Sequence, residues 1–500
     1  MNQPKTGDVT LNRRTLLKAA TAGLSTAAVL PEFEEISWAE PKNLPFIVAY
    51  ADQLSYQPGD PVALHVSTSA PAYRIEVARV GGERQVVLIQ DGLKGIEQSI
   101  PADASSHGCR WRVSHSFPVP KEWPSGYYQV LLHSQEKNGE SALGEAFFVV
   151  RAQRPGRTAN ILLQLAANTY NAYNAWGGTN LYGGPKGMGR RVSFDRPYSG
   201  FTPGDRFAAL YSGWHKWEEP FVRWAERAGY KIEYAVNSDL ELRPEILEPY
   251  QLVLSVGHDE YWSAAMRDHL EAFIKRGRNV AFFSGNTCFW QVRTEDQGRA
   301  LVSWKMDFDQ DPVYQSKDHR LLTGTWTNSL INRPENQLTG VSFAYGGYHR
   351  FFDVGGEGCY TVHRPDHWLF EGTGLKRDDL LGKKSLIVGY ECDGCLFTLE
   401  DGLPVPTHED GTPESFEILG SAPAALSGRD NSVKWVAEGL YGKDTEKRLR
   451  QPGSAVLGIY RNGGTVITTG CTEWVRGLEG HDPQVEQITR NVFDRLSKPT

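Results

Sequence analysis

The sequence has few of the residues that usually mark metal or thiol chemistry. Its 500 residues include only six cysteines and 13 histidines, and without an HxH or HExxH motif they do not indicate a histidine-rich zinc site. Cys392 and Cys395 form a CxxC pair. No second pair lies nearby, which argues against structural zinc or redox chemistry there. In an exported protein the cysteines could pair, but the sequence does not assign partners.

The sequence also lacks the nucleophile elbow of serine and cysteine hydrolases. That turn needs small residues two positions on either side of the nucleophile. Cys288 follows a predicted strand, but Asn286 and Trp290 occupy those two positions. Ser255 and Ser284 fail the same test, so we predict neither a catalytic thiol nor a serine triad.

Long apolar runs and basic clusters are missing beyond the first forty residues. The net charge is −7, with acids and bases mixed, which argues against a nucleic-acid partner. No later segment is apolar for long enough to span a bilayer. A chain of this length has room for two or three domains.

Residues 1–39 are predicted to be a twin-arginine export signal. Arg13 and Arg14 precede two leucines and Lys18, and an uncharged apolar stretch covers residues 19–30. Small residues at Ser37 and Ala39 suit a cleavage site. The apolar stretch is too short to cross a membrane. We therefore expect a periplasmic or secreted protein.

The remaining chain divides into two predicted domains. Residues 44–152 show short strand-like runs separated by turn residues, the pattern of an immunoglobulin-like β-sandwich. From residue 158 to residue 500, strands alternate with amphipathic helices, which predicts an α/β doubly wound, mostly parallel sheet. Residues 300–385, rich in glycine and aromatic residues, lack this alternation and are predicted to be an insertion.

Polar motifs follow five of the predicted strands. The stretch LVLSVGHDEYW at 252–262 ends in His258, Asp259 and Glu260, and other strands run into NTYNAYNAWGG at 168–178, SGNT at 284–287, Glu391 and GCTEW at 470–474. Because ligands bind at the carboxyl ends of strands in open α/β sheets, we predict an active-site crevice there.

These motifs resemble the large subunit of N,N-dimethylformamidase and its relatives. The resemblance is carried by NTYNAYNAWGGTNLY (168–182), VSFDRPY (192–198), VGHDEYW (256–262), FFSGNTCFW (282–290), VGYECDG (388–394) and TTGCTEWVRGL (468–478). It implies a catalytic domain similar to the class I glutamine amidotransferase fold, without the cysteine nucleophile. It also implies a separate small subunit as a partner. A homo-oligomer is the alternative that the sequence leaves open.

The resemblance further implies a mononuclear Fe(III) site, one ion per chain, held by two tyrosines and one glutamate. The glutamate matches Glu260. One tyrosine is assigned to Tyr173, with Tyr170 as the competitor, and the other to Tyr198, with Tyr182 as the competitor. Catalytic roles are carried over to three further residues: His258, Asn286 and Glu391.

Elementary chemistry agrees with such a site. Hard oxygen ligands suit Fe(III), and open positions on the ion would admit water and a substrate carbonyl. We therefore expect an exported hydrolase that cleaves the C–N bond of a small amide such as a formamide. The alternative is a non-catalytic exported binding or structural protein that keeps the fold and binds carbohydrate through its aromatic residues.

Overall fold

The computed structural model describes residues 45–134, 141–201, 212–352, 354–427, 432–441 and 452–499. The predicted export signal at residues 1–39 lies outside these residues. The strands are β1 (Ile47–Ala51), β2 (Ser55–Tyr56), β3 (Pro61–Thr68), β4 (Ala72–Val80), β5 (Arg84–Lys94), β6 (His115–Pro118), β7 (Gly126–Ser134), β8 (Leu143–Val150), β9 (Ile161–Leu165), β10 (Arg191–Ser193), β11 (Glu233–Val236), β12 (Leu252–His258), β13 (Tyr261–Ser263), β14 (Asn279–Gly285), β15 (Trp290–Glu295), β16 (Ala300–Val302), β17 (Ser342–Gly347), β18 (Tyr360–Val362), β19 (Leu380–Leu381), β20 (Cys392–Gly394), β21 (Phe397–Glu400), β22 (Leu403–Pro406), β23 (Glu417–Ala424), β24 (Gly453–Asn462) and β25 (Gly464–Thr468).

The helices are mostly short. They are α1 (Ala104–His107), α2 (Ala167–Tyr173), α3 (Glu218–Arg227), α4 (Asn237–Leu242), α5 (Ala264–Lys275), α6 (Asn336–Thr339), α7 (Ser432–Tyr441), α8 (Val475–Glu479) and α9 (Pro483–Leu496). Short 3-10 helices cover Ser199–Phe201, Pro244–Leu247, Lys305–Gln310, Pro312–Gln315 and Trp368–Phe370. No helix among the described residues is both long and apolar enough to cross a membrane.

Strands β1 to β8 form two sheets that share one apolar core. The smaller sheet has the order β1-β3-β6 and the larger β2-β8-β7-β4-β5. Residues that alternate along the strands point inward, as in β3, where Val62, Leu64 and Val66 are fully buried. The assignment of residues 44–152 to the immunoglobulin-like class stays a prediction.

A nine-stranded mixed sheet dominates the rest of the chain. Its order is β11-β9-β12-β14-β25-β24-β23-β18-β19. The first five strands pair in parallel, and the remaining pairings are antiparallel. Strands β12 and β14 are buried along their whole length, as expected for strands covered on both faces.

The predicted doubly wound α/β fold is therefore wrong. The structure is mostly β, with 34% strand and 21% helix, and its sheets are antiparallel or mixed. One physical reason lies at Gly463, which turns β24 directly back into β25 with a φ of +80°. A tight turn can join only antiparallel strands, since a parallel pair needs a long crossover.

Two other segments differ from the expected pattern. Residues 386–390, which form the predicted strand that runs into Glu391, have no regular secondary structure. Within the predicted insertion at 300–385, β18 and β19 extend the nine-stranded sheet, and β17 pairs with β20. All six cysteines are buried and none forms a disulfide.

Candidate active site

The carboxyl ends of β12 and β14 bring two predicted motifs together. The strands run parallel with His258 beside Gly285. Gly257 has a φ of +76°, and a Cβ there would lie 2.2 Å from the Cβ of Trp217, so the bend into His258 requires glycine. At Gly285 a Cβ would lie 2.4 Å from the carbonyl oxygen of Glu391. The two glycines let three chain segments meet at one edge of the sheet.

Glu260 is the centre of this site. The Tyr173 hydroxyl lies 3.1 Å from Oε2 of Glu260, and the Tyr182 hydroxyl lies 2.5 Å from Oε1. The two hydroxyl oxygens are 2.9 Å apart. Trp290 donates its indole N–H to Oε1 at 2.8 Å. Glu260 is only 2% exposed and Tyr173 is also buried, whereas Tyr182 is half-buried.

Local structure explains why Tyr173 and Tyr182 meet. Tyr173 ends helix α2, and the chain then folds back so that the amide of Leu181 bonds to the carbonyl of Ala172 at 3.0 Å. Asn180 fixes this return, because its side chain bonds to the Tyr173 carbonyl and accepts the Tyr182 amide. The two phenol rings consequently lie with centroids 4.5 Å apart.

The other two candidate tyrosines contact different residues. Tyr170 donates its hydroxyl to the buried carboxylate of Glu218. Tyr198, predicted to be a ligand, has its hydroxyl 3.0 Å from Oγ of Ser212 and its ring 6.3 Å from the ring of Tyr170. Among the described contacts, the structure brings Tyr173 and Tyr182 to Glu260 and does not bring Tyr198 there.

His258 links Glu260 to a second carboxylate. Its Nε2 lies 2.8 Å from Oε2 of Glu391 and 3.4 Å from Oε2 of Glu260. The backbone of Glu391 is held by a neighbouring segment of the same chain, since its carbonyl accepts the amide of Thr472 at 3.1 Å. His258, Glu260 and Glu391 are all at least 96% buried. The two short distances from His258 place two of the predicted catalytic residues beside the glutamate of the predicted ligand set.

Asn286, the remaining predicted catalytic residue, lies in the loop after β14, next to Gly285, which pairs with His258. Asp393 holds that loop by accepting the backbone amides of Asn286 at 2.8 Å and Thr287 at 3.1 Å. Asn286 has a φ of +49° and is 3% exposed. Its side-chain oxygen has no hydrogen-bond partner among the described residues. A buried amide of this kind is suited to a substrate or water.

Lys305 is a site residue that the sequence analysis missed. Its ammonium lies 3.3 Å from the ring centroid of Tyr182 and 4.9 Å from that of Trp290. Burial lowers the pKa of Lys305 to about 7, while Glu260 and Glu391 oppose that shift. Lys305 stands at the start of a segment without helical or strand periodicity, so no pattern singled it out.

Burial also raises the pKa of the two tyrosines and of Glu260. The pKa of both Tyr173 and Tyr182 lies well above the ordinary value, mainly because of burial and next because of the charge of Glu260. Burial raises the pKa of Glu260, against the influence of His258 and Lys305. A cation bound at the common centre of the three oxygens would reverse these directions by stabilising the anions.

The donor set fits a hard metal ion. Among the described residues, no group of three or more His, Cys, Asp and Glu side chains is placed to hold a metal. The tyrosine hydroxyls beside Glu260 lie outside that set of residue types and add two oxygen donors to its carboxylate. Tyr173, Tyr182 and Glu260 offer three oxygen donors of anionic type, which suits Fe(III).

Comparisons with known proteins agree with the motifs. A family profile described as N,N-dimethylformamidase beta subunit-like, C-terminal, matches residues 72–487. The N,N-dimethylformamidase beta subunits of Alcaligenes sp and Paracoccus aminophilus are 23% and 22% identical to this chain over 460 residues. Each alignment covers 78% of this chain and 55% of the relative. The chain thus spans about half the length of the curated relatives it matches.

Spo0M, a sporulation control protein from Bacillus subtilis, is 14% identical with a TM-score of 0.16, over 22% of this chain and 50% of its own. That likeness is too small to inform the fold. The family match confirms the resemblance predicted from the motifs, and the similarity to class I glutamine amidotransferases stays a prediction.

Proposed function

The chain belongs to the N,N-dimethylformamidase beta subunit-like family, and we propose on that premise that it hydrolyses the C–N bond of an amide. The observation that carries the proposal is the convergence of two tyrosine hydroxyls on Glu260, with Glu391 joined to the same group through His258. The relatives are named for N,N-dimethylformamide, so the substrate we propose is a small amide such as a formamide.

The proposed cofactor is one Fe(III) per chain, held by Tyr173, Tyr182 and Glu260. Tyr182 takes the place first assigned to Tyr198 because its hydroxyl lies beside Glu260. When bound, the ion would polarise the amide carbonyl and lower the pKa of a water molecule. Two phenolates and one carboxylate would balance its three positive charges.

Glu391 is the proposed general base. It would accept a proton from the attacking water and pass that proton to the nitrogen of the leaving amine. His258 would orient both carboxylates, since its Nε2 lies within 3.4 Å of each. Asn286, whose side-chain oxygen has no described partner, would bind a polar group of the substrate. Both water protons are then accounted for in the acid and amine products.

Iron content and a buried-glutamate control test this proposal. The purified protein should hold about one iron per chain and show a tyrosinate-to-iron absorption band. Glu260→Ala should lose the iron, the band and amide hydrolysis together. Glu233→Ala is a matched control, because Glu233 is also buried and accepts a tyrosine hydroxyl, that of Tyr250.

Two outcomes would contradict the proposal. Retention of both iron and activity by Glu260→Ala would reject the ligand assignment. A colourless wild-type protein that stays inert when iron is supplied would favour the binding or structural role instead. A folded Glu233→Ala that keeps iron would show that losing a buried glutamate is not by itself enough to release the metal.

Export and a partner subunit are further parts of the proposal. The twin-arginine pattern at Arg13 and Arg14 supports a periplasmic or secreted location. The curated relatives are named as beta subunits, which supports a second, smaller subunit as a partner. Cell fractionation, and isolation of the tagged full chain from its own host, would test these two points.

A further inference from the structure

Four aromatic side chains beside Glu391 have no role in the steps above. They are Tyr348, Phe351, Phe352 and Tyr390, here called the aromatic wall. Tyr348 follows β17, the two phenylalanines lie in the next loop, and Tyr390 directly precedes Glu391. Tyr348 is buried, whereas the other three are half-buried.

The rings form a continuous surface that reaches the catalytic histidine. Tyr390 lies 6.1 Å from the His258 ring and perpendicular to it, and 4.9 Å from Phe351. Phe351 lies 4.6 Å from Phe352, which lies 4.8 Å from Tyr348. Edge-to-face rings at these distances make a rigid apolar surface with little side-chain entropy left to lose.

The order of groups across the site predicts how a bound substrate is oriented. Tyr173, Tyr182 and Glu260 lie at one end, His258 and Glu391 follow, and Tyr390 begins the aromatic wall. Resting on the proposed function, an amide would place its carbonyl at the Glu260 end and its nitrogen near Glu391. Any substituent on the nitrogen then points toward the aromatic wall.

We propose that the aromatic wall binds an uncharged apolar substituent on the amide nitrogen, and that N-alkyl or N-aryl amides larger than dimethylformamide are the preferred substrates. The backbone supports this role. Phe352 has a φ of +55°, a conformation that bulky residues rarely adopt, and residues held in such strained conformations cluster at active sites and ligand-binding sites. The ring is kept in place by its contacts with Phe351 and Tyr348.

A series of formamides with different N-substituents tests the proposal on the full-length, iron-loaded protein. Wild type should show a kcat/KM about tenfold higher for N-benzylformamide than for N-methylformamide, the size expected from one or two aromatic contacts. Phe351→Ala and Phe352→Ala should each reduce that ratio to about twofold or less. N-methylformamide carries the smallest substituent, so its kcat/KM should fall less than that of N-benzylformamide in both variants.

Tyr314→Ala is the control variant. Tyr314 is an aromatic residue that is 36% exposed and stacks on His319. It should keep the wild-type ratio. Using two separate phenylalanine variants keeps the test informative if one of them fails to fold.

A binding measurement separates this proposal from the proposed function. Titration of the Glu391→Gln protein with each formamide should give tighter binding of the N-benzyl compound, lost when Phe352→Ala is added. If that preference appears while wild type hydrolyses no amide, the proposed function fails and the aromatic wall stands. The aromatic-wall proposal is overturned if wild type hydrolyses N-benzylformamide and N-methylformamide with the same kcat/KM. It is also overturned if N-(2-ammonioethyl)formamide is preferred over the N-benzyl compound.

Discussion

Replacing Tyr182 by phenylalanine should remove the iron, whereas the same change at Tyr198 should not. The two residues were competitors for one ligand position in the sequence. Tyr182 Oη lies 2.5 Å from Glu260, while Tyr198 Oη lies 3.0 Å from Ser212. Both substitutions delete only a hydroxyl and keep the ring, so the pair isolates the ligand role from packing.

The expected size follows from the contacts. Loss of a residue that merely supports a ligand typically weakens metal affinity 10–100-fold, so loss of a ligand itself should weaken it by more than about 100-fold. The metal-free Tyr182→Phe protein also loses a hydrogen bond to a carboxylate, which typically contributes about 1.5–3 kcal/mol to stability. Tyr198→Phe loses a bond between two neutral hydroxyls, for which about 1 kcal/mol is expected.

Metal analysis after dialysis against a graded iron chelator would measure the affinity, and thermal unfolding of the metal-free proteins would measure the stability. Tyr182→Phe should also lose much of the visible band, because that band comes from phenolate bound to iron. Full iron content and an unchanged band in Tyr182→Phe, together with iron loss in Tyr198→Phe, would refute the assignment and restore the original one.

Two further predictions concern buried carboxylates. Glu391→Gln should keep iron and its visible band but lower kcat by at least about 100-fold, since the proton acceptor is gone while the ligands remain; near-normal turnover would exclude Glu391 as the base. Burial raises the pKa of Glu218 to about 8 in the folded protein. Protonated Glu218 therefore contributes its full stability to the folded protein only below the pKa of the unfolded chain, near 4.5. That contribution is lost as the pH rises toward 8, because the unfolded chain releases the Glu218 proton first. Glu218→Gln should therefore gain unfolding free energy relative to wild type between pH 5 and pH 8, and a constant difference across that range would contradict the reasoning.

The sequence predicted local elements better than their arrangement. Helix α5, one of the predicted amphipathic helices, covers Ala264–Lys275, because its apolar stripe has helical spacing and Ser263 caps its start. The predicted parallel direction was wrong for the four strands that follow β25 in the sheet order, β24, β23, β18 and β19. An apolar run reads alike in a parallel and an antiparallel strand, and only the length of the connection distinguishes them. Near Gly463 that connection was too short for the parallel pairing that was predicted.

For the site, the sequence could predict which residue types take part, but it could not predict the distances between their side chains. His258 and Glu260 share one motif, so their proximity was built into the chain, and a parallel neighbour brought Asn286 alongside them. Lys305 left no signal because a single lysine in an irregular segment looks like any surface lysine. Its place in the site depends on the rings of Tyr182, Tyr261 and Trp290, which come from separate segments and surround its ammonium.

The choice between Tyr182 and Tyr198 shows where sequence reasoning stops. Assigning one tyrosine to each motif assumes that ligands come from well-separated segments, as metal sites often draw on several strands. Here the chain returns on itself after α2, and bonds from Asn180 and Leu181 bring a tyrosine nine positions later against Tyr173. Such a return depends on side-chain hydrogen bonds within an irregular loop, which no periodicity records. Because the same loop positions both proposed phenolates, a change in the loop should affect both of them. Asn180→Ala should therefore weaken iron binding, although the Asn180 side chain bonds to backbone groups of the loop and is not one of the proposed ligands. If Asn180→Ala bound iron as tightly as wild type, the loop would not be what positions Tyr182.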